Sequence, residues 1–250
     1  MDVVSAFEAW GSKVAGTMSE TEFKSIVQKA CPGAGACGGM YTANTMASAI
    51  EALGMTLPFN SSNPATGEEK KLESVKAGEA MRLLLEKDIK PSDIITRKSL
   101  ENAIRLITIL GGSTNAVLHF LAIARAAQID FTLKDFQKIS DTTPFLADLK
   151  PSGKYLMEDF YRAGGLSAVF KQLTNLLNPK AITVTGKSLT STIGDGEIFD
   201  PEVIKTIDKP LQKEAGIAVL RGNIAPLGAV IKPSAASPKL LKHSGPALVF

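Results

Sequence analysis

The sequence predicts an α/β chain that is rich in helix up to about residue 178 and carries short strands after it. Before Pro179, apolar residues recur with the 3.6-residue period of helices, and capping residues precede several of these runs. After Pro179, short β-branched and aliphatic runs alternate with turn residues, which is typical of strands. With 250 residues, 44% of them hydrophobic, the chain is long enough to bury a sizeable core.

Capping residues and glycines predict where several helices before Pro179 begin and end. Ser19 is followed three residues later by Glu22, the pattern of a capping box, and apolar residues follow at helical spacing. Gly54 ends a second helical run, and Thr132 opens a short helix further along. The other predicted helices cover residues 40–53, 77–86, 99–110, 116–127 and 159–177, the last interrupted at Gly164 and Gly165.

The predicted helix at residues 116–127 is apolar on nearly all sides, which predicts a buried helix. His119 lies one turn into it, so we interpret it as a core histidine with a hydrogen-bond partner rather than as a ligand. The other histidine, His243, lies in a segment rich in Pro, Ser and Lys and is expected to be exposed.

The strand-like runs are residues 181–185, 216–220 and 228–231, and a further run begins at residue 247. The stretch up to Pro210 is predicted to be a linker. A tail of about forty residues with three strands is below what usually forms an independent core. We therefore expect an internal piece of a longer protein, holding most of one domain and the first strands of a second.

Composition excludes several classes of protein. The 28 basic and 25 acidic residues leave a formal charge of +3 without a basic stripe, so no nucleic-acid partner is expected. No apolar run reaches the ~18 residues of a membrane span, and the start lacks the features of a signal peptide. Two cysteines cannot make a disulfide framework, which favours an intracellular, reducing compartment.

The most informative stretch contains Cys31 and Cys37 among four glycines, directly before a predicted helix. Such a turn brings backbone N–H groups close to a ligand, and a helix start favours the thiolate form of Cys37. The residues leave several functions open: a metal or cluster ligand, a nucleophile, a phosphate cradle, or a close-packed turn with two inert thiols. The C-x5-C spacing matches no standard zinc pair.

A second candidate site is the turn Gly111-Gly112-Ser113-Thr114-Asn115 before the apolar helix. Paired glycines followed by hydroxyl and amide side chains at a helix start are suited to an anion or a polyol. Simple helix capping is the alternative interpretation of the same residues.

Four segments resemble the signature strings of the dihydroxy-acid dehydratase family, in the same order along nearly the whole chain. They are ACPGAGACGGMYTANTM at 30–46, LGGSTNAVLH at 110–119, DTTPFLADLKPSGKY at 141–155 and RGNIAP at 221–226. The family includes dehydratases of sugar acids, which are the alternative to the enzyme of valine and isoleucine biosynthesis. A non-catalytic truncated scaffold is a third alternative.

The resemblance implies a hydro-lyase that converts 2,3-dihydroxy-3-methyl acids to 2-keto acids. It implies an iron–sulfur cluster, [2Fe–2S] or [4Fe–4S], held by three cysteines and acting as a Lewis acid on the leaving hydroxyl, beside a Mg²⁺ site. Cys37 matches the last of these cysteines and Cys31 matches a cysteine that is not a ligand. Ser113, Thr114 and Asn115 are expected near the cluster or substrate.

The sequence also departs from the family. The first two cluster cysteines, the Mg²⁺ ligands and the serine base are expected outside this sequence, so no catalytic residue is assigned within it and the chain alone is expected to be inactive. Leu227 stands where an acidic residue is expected.

The family fold divides the chain into three parts. Residues 1–180 would be the second half of an α/β N-terminal domain, residues 181–210 a linker, and residues 211–250 the first strands of a β-barrel-like C-terminal domain. A homodimer is expected, in the cytoplasm or in an organelle matrix.

Overall fold

The computed structural model describes residues 1–31, 35, 37–213 and 216–246. Its helices are α1 (Val3–Val14), α2 (Glu20–Lys29), α3 (Thr42–Leu53), α4 (Glu68–Glu86), α5 (Pro91–Ile94), α6 (Arg97–Ile109), α7 (Asn115–Ala126), α8 (Leu133–Asp141), α9 (Met157–Arg162), α10 (Gly165–Leu173) and α11 (Leu189–Thr192). Three 3₁₀ turns cover Thr174–Leu176, Pro233–Ala235 and Pro238–Leu240. The two strands are β1 (Ala218–Leu220) and β2 (Ala229–Ile231).

The predicted fold class is confirmed: a helix-rich chain is followed by a small sheet. The two strands pair antiparallel, with Val219 opposite Val230. The strand predicted at residues 181–185 is wrong, because Ile182 forms only an isolated bridge to Ser188, and Gly186 turns the chain at a φ of 70°. The run predicted from residue 247 lies outside the described residues.

Several predicted helix ends are confirmed by their capping contacts. The Ser19 side chain accepts from the backbone N–H of Glu22, and the Glu22 carboxylate accepts from the Ser19 N–H. Gly54 ends α3 in the left-handed conformation, with a φ of 87°. α4 begins at Glu68, well before the predicted start, and none of its residues is buried.

The core is built around α6, which packs against α3, α7 and α8. α6 buries side chains on most of its circumference, and α3 covers it with small residues that let the two helices approach closely. Large aromatic side chains from four other helices or turns fill the remaining space: Phe120, Phe136, Phe160 and Phe170.

The prediction of a wholly buried helix at residues 116–127 is wrong for one face. Ala116, Val117, Phe120 and Ala124 of α7 are buried, but Leu118 is 69% exposed. His119 lies next to Leu118 on the uncovered side and is also exposed, so it is not a core histidine. The break predicted at Gly164 and Gly165 is confirmed, since α9 ends and α10 begins there. His243 is exposed as predicted.

The segment after residue 180 also buries side chains, and those of Leu189, Ile193, Val203 and Ile204 belong to the same core. Ala181, Val184, Leu189 and Ile193 are buried, as are Val203 and Ile204. The backbone N–H of Val184 donates to the carbonyl of Gly54 over 2.8 Å, which fixes this segment to the end of α3. No described helix is both long and apolar enough to cross a membrane.

Candidate functional site

A cavity of about 740 Å³ opens beside the first turns of α3. Its walls are the segment before α3, the loop after α3 (residues 56–66) and the start of α9. Amide and hydroxyl side chains dominate its polar lining: Asn44, Thr56, Asn60, Ser61, Ser62, Asn63 and Thr66. Such a lining suits a small polar ligand with several hydroxyl groups.

Both cysteines contribute to the cavity wall. Cys37 is half-buried, whereas Cys31 is exposed and has a φ of 53°, which is unusual for a residue other than glycine. Residues 32–34 and 36 lie outside the described residues, so the glycine-rich segment is described continuously only from Cys37 onward. Among the described residues, the Cys37 thiol makes one long hydrogen bond, donating to the carbonyl of Gly39 over 3.6 Å.

The backbone from Cys37 to Met40 is held by the loop before α9 and by the first residue of that helix. The carbonyl of Gly38 accepts from the N–H of Met157, and the N–H of Met40 donates to the carbonyl of Lys150, both over 2.7 Å. The Lys150 ammonium pairs with Asp2 over 2.8 Å. This hydrogen bond lowers the pKa of Asp2 from 3.8 to about 2.

On the cavity side, one side chain of α3 holds the same segment. The Asn44 amide Nδ2 donates to the carbonyl of Cys37 over 3.0 Å and to the carbonyl of Gly39 over 2.8 Å. Gly39 has little room for a side chain, since a Cβ there would lie 3.0 Å from the Lys150 carbonyl. The position of Cys37 is therefore set by the contacts of its segment with Asn44 of α3 and with Lys150 and Met157.

The opposite wall, residues 56–66, is anchored by the carboxylate of Glu51. Glu51 is 2% exposed, and its oxygens accept from the N–H of Phe59 over 2.6 Å and of Ser61 over 2.9 Å, and from the Ser61 hydroxyl over 2.8 Å. Burial raises the pKa of Glu51, and these hydrogen bonds oppose the rise. Phe59 adopts a φ of 67° there, which the Glu51 contact helps to hold.

The charge inside the cavity is nearly balanced. Lys70 lines it, but its ammonium donates to the backbone and side-chain oxygens of Asn60 and pairs with Glu73 over 2.9 Å. The lysine therefore already has partners in this structure and stabilises the loop at the start of α4.

The second predicted site, residues 111–115, lies behind the start of α3 and does not line the cavity. Ser113 contacts the Thr42 hydroxyl over 3.0 Å, and Asn115 Nδ2 donates to the same hydroxyl over 2.8 Å. The N–H of Ser113 donates to the buried hydroxyl of Thr45 over 3.0 Å. Thr114 is half-buried at the start of α7 and makes no side-chain cap.

Within residues 1–31, 35, 37–213 and 216–246, no three His, Cys, Asp or Glu side chains lie together as a metal-binding group. Cys37 fits one thiolate ligand on a cavity wall, and the described residues do not complete a cluster site or a Mg²⁺ site.

Sequence reasoning did not single out Asn44 or Glu51. A signal for Glu51 is its place in the apolar run Ala49-Ile50-Glu51-Ala52-Leu53, because a carboxylate on a buried helix face needs hydrogen-bond partners. Asn44 carried no comparable signal, since its contacts depend on how the preceding segment folds back.

Comparison with known proteins gives a consistent result. The family model described as Dihydroxy-acid/6-phosphogluconate dehydratase N-terminal matches residues 1–192, and the corresponding C-terminal model matches residues 202–250. A dihydroxy-acid dehydratase of Cytophaga hutchinsonii is 53% identical over 236 residues, covering 93% of this chain and 42% of the relative. A dihydroxy-acid dehydratase of Oceanobacillus iheyensis is 48% identical, covering 100% of this chain and 45% of the relative.

The relative from Lactococcus lactis subsp. cremoris, also named dihydroxy-acid dehydratase, is 48% identical over 255 aligned positions and is covered to 44%. The chain thus spans less than half the length of these curated relatives.

Proposed function

The chain belongs to the dihydroxy-acid/6-phosphogluconate dehydratase family, and we propose that it contributes Cys37 to the active site of a dihydroxy-acid dehydratase. The reaction would convert 2,3-dihydroxy-3-methyl acids to 2-keto acids in valine and isoleucine biosynthesis. The observation that carries the proposal is Cys37, half-buried on the wall of a cavity lined by hydroxyl and amide groups. Relatives about 50% identical that bear this name support it.

In this proposal Cys37 is one of three cysteine ligands of an iron–sulfur cluster, beside a Mg²⁺ site whose ligands lie elsewhere. Such a cluster, when bound, supplies a Lewis acid for the leaving hydroxyl. The chain's own contribution is to hold the Cys37 segment between Asn44 and the Lys150 loop. Ser113, Thr114 and Asn115 would lie near the cluster or substrate, and Ser113 and Asn115 bond to Thr42 at the start of α3.

The proposal also includes the cellular compartment, the assembly, the ligand and the domain organisation. Both cysteines are free thiols, which agrees with a reducing intracellular compartment, either the cytoplasm or an organelle matrix. We propose a homodimer as the assembly, and a small dihydroxy acid as the ligand. The division into an N-terminal part at residues 1–180, a linker at 181–210 and a C-terminal part at 211–250 remains our proposal for the domain organisation.

The cluster ligand is tested in a chimera. The matched 236-residue segment of the Cytophaga hutchinsonii relative is replaced by that of this chain, and the chimera is reconstituted anaerobically. Cys37→Ser should remove most of the iron and sulfide, because a hydroxyl is a poor substitute for a thiolate on iron. Cys31→Ser is the matched control and should retain the cluster. Equal iron and sulfide content in the parent chimera and the Cys37 variant would refute the assignment.

The reaction is tested on the longest reading frame that contains this chain. We expect that frame to encode an upstream Cys-Asp-Lys motif and its product to release a keto acid from 2,3-dihydroxy-3-methylbutanoate. The 250-residue chain, treated identically, should release none, since it lacks the other ligands and the base. A frame without the motif and a product without activity would favour the non-catalytic scaffold.

A sugar-acid dehydratase is the second candidate function. The number of amide and hydroxyl groups around the cavity favours it, since a sugar acid offers more hydroxyls to bind than a methyl-branched dihydroxy acid. Faster turnover of gluconate or 6-phosphogluconate than of 2,3-dihydroxy-3-methylbutanoate by the same product would select this candidate.

A further inference from the structure

Asn44 occupies an unusual place for a helix residue. It stands in the first turn of α3, where Tyr41 is the N-cap and supplies no side-chain cap. Its amide does not point along the helix but reaches back to the preceding segment, donating to the carbonyls of Cys37 and Gly39. One side chain therefore ties together the two residues that flank Gly38.

The carbonyl of Gly39 also accepts a hydrogen bond from the Cys37 thiol. Gly39 O accepts from Asn44 Nδ2 over 2.8 Å and from Cys37 Sγ over 3.6 Å. The direction of this carbonyl is thus set by the short amide contact, and the thiol follows it through the longer one. A change at Asn44 alters the acceptor to which the Cys37 side chain is oriented.

The other contacts to this segment come from backbone groups. The carbonyl of Gly38 accepts from the N–H of Met157, and the N–H of Met40 donates to the carbonyl of Lys150. Among the described residues, Asn44 is the one whose side chain donates to the carbonyls of Cys37 and Gly39. The backbone bonds would persist without Asn44, so its loss should loosen the thiol rather than unfold the segment.

We propose that Asn44 is a positioning residue that fixes the orientation of the Cys37 thiol on the cavity wall. Its importance for a reaction rests on the proposed function, whereas its effect on the thiol does not. Thiol reactivity can be measured without cluster or substrate. It therefore tests the positioning of Cys37 independently of the proposed dehydratase function, which is tested by the activity assay.

The experiment measures alkylation of the 250-residue chain by iodoacetamide, with the two cysteines followed separately by peptide mass spectrometry. Cys31 is exposed and serves as the internal reference. In Asn44→Leu, which keeps the size of the side chain but removes the donor, Cys37 should react about fivefold faster, the change expected from losing a typical hydrogen bond. Cys31 should keep its rate, and Asn44→Gln should restore part of the protection.

Asn60→Leu is the matched control, because Asn60 lines the same cavity and donates to Thr56, away from the cysteine segment. It should leave the Cys37 rate within twofold of the parent. If Asn44→Leu fails to fold, as judged by circular dichroism, Asn44→Ser replaces it, since its side chain is too short to reach either carbonyl. An unchanged Cys37 rate in a folded Asn44 variant, or equal acceleration of both cysteines, would overturn the proposal.

Discussion

Two turns lead into helices of this chain, and they use their polar groups in opposite ways. The cysteine turn, residues 37–41, lines the cavity through Cys37 and Gly38, and the thiol has one long contact to the described residues. The serine turn, residues 111–115, lies against α3, and the groups of Ser113 and Asn115 bond to Thr42 and Thr45. Both turns have paired glycines next to a residue capable of binding a ligand, but of the two only the cysteine turn lines the 740 Å³ cavity.

The two turns therefore differ in how many of their polar groups already have partners within the protein. Gly39 of the cysteine turn is crowded, but the first glycine of each pair differs between the turns. A Cβ on Gly111 would lie 2.3 Å from the Phe145 ring, whereas one on Gly38 would lie 3.6 Å from Leu156, an ordinary contact.

The largest change in the free energy of unfolding is expected from substitutions of the glycines. Gly111→Ala should lower the free energy of unfolding by about 3 kcal/mol, because the new methyl group overlaps Phe145 and the φ of 60° disfavours alanine. Gly38→Ala should cost less than about 1 kcal/mol. Urea unfolding followed by circular dichroism measures both. Similar losses in the two variants would remove the distinction between a packed turn and an open one.

A smaller effect is expected at the contact between the serine turn and α3. Thr45→Val keeps the shape of the side chain but leaves the Ser113 N–H without its acceptor, which should cost about 1–2 kcal/mol. Ser48 is the matched control, since it is equally buried on α3 and its hydroxyl has no partner among the described residues. Ser48→Ala should be neutral or stabilising in the same unfolding measurement, and a loss as large as that of Thr45→Val would contradict this account.

The smallest expected effect is on the ion pair between Asp2 and Lys150, and it depends on pH. The pKa of Asp2 falls from 3.8 to about 2 on folding, so its pairing with Lys150 stabilises the protein above pH 3.8 and is lost as the pH falls to about 2. Asp2→Asn should cost about 0.5 kcal/mol at pH 7 and nothing near pH 2. A difference from the parent that persists unchanged at pH 2 would show that the ion pair is not its source.

Much of the helical framework could be predicted from local signals. Ser19 with Glu22, and Gly54, mark helix ends through contacts within a few residues, so the sequence contains all the information they need. The exposure of His119 could not be predicted, because an apolar helix does not reveal which of its faces the rest of the chain covers. Residues 181–185 have the composition of a strand, but their backbone bonds to Gly54 and to a local turn instead of to a partner strand.

The candidate site was predictable to a lesser degree. Cys37 and its glycines stand out in the sequence because cysteine is rare in this chain. Asn44 and Glu51 became apparent only in the structure, since each bonds to backbone groups whose positions depend on how a loop folds back. The partners of the serine turn are about seventy residues away in sequence and could not be inferred from spacing.

The bond between Val184 and Gly54 has a consequence for the order in which the protein forms. Gly54, at the end of α3, bonds to a residue that the ribosome adds about 130 residues later. The bonds from Lys150 and Met157 to the cysteine turn likewise form only after those residues have been synthesised. Contacts between distant parts of a sequence form slowly, because a long loop must close before they can stabilise the fold. During synthesis, α2 can therefore form early, whereas the cavity wall that carries Cys37 is fixed only after Lys150 and Met157 have been added.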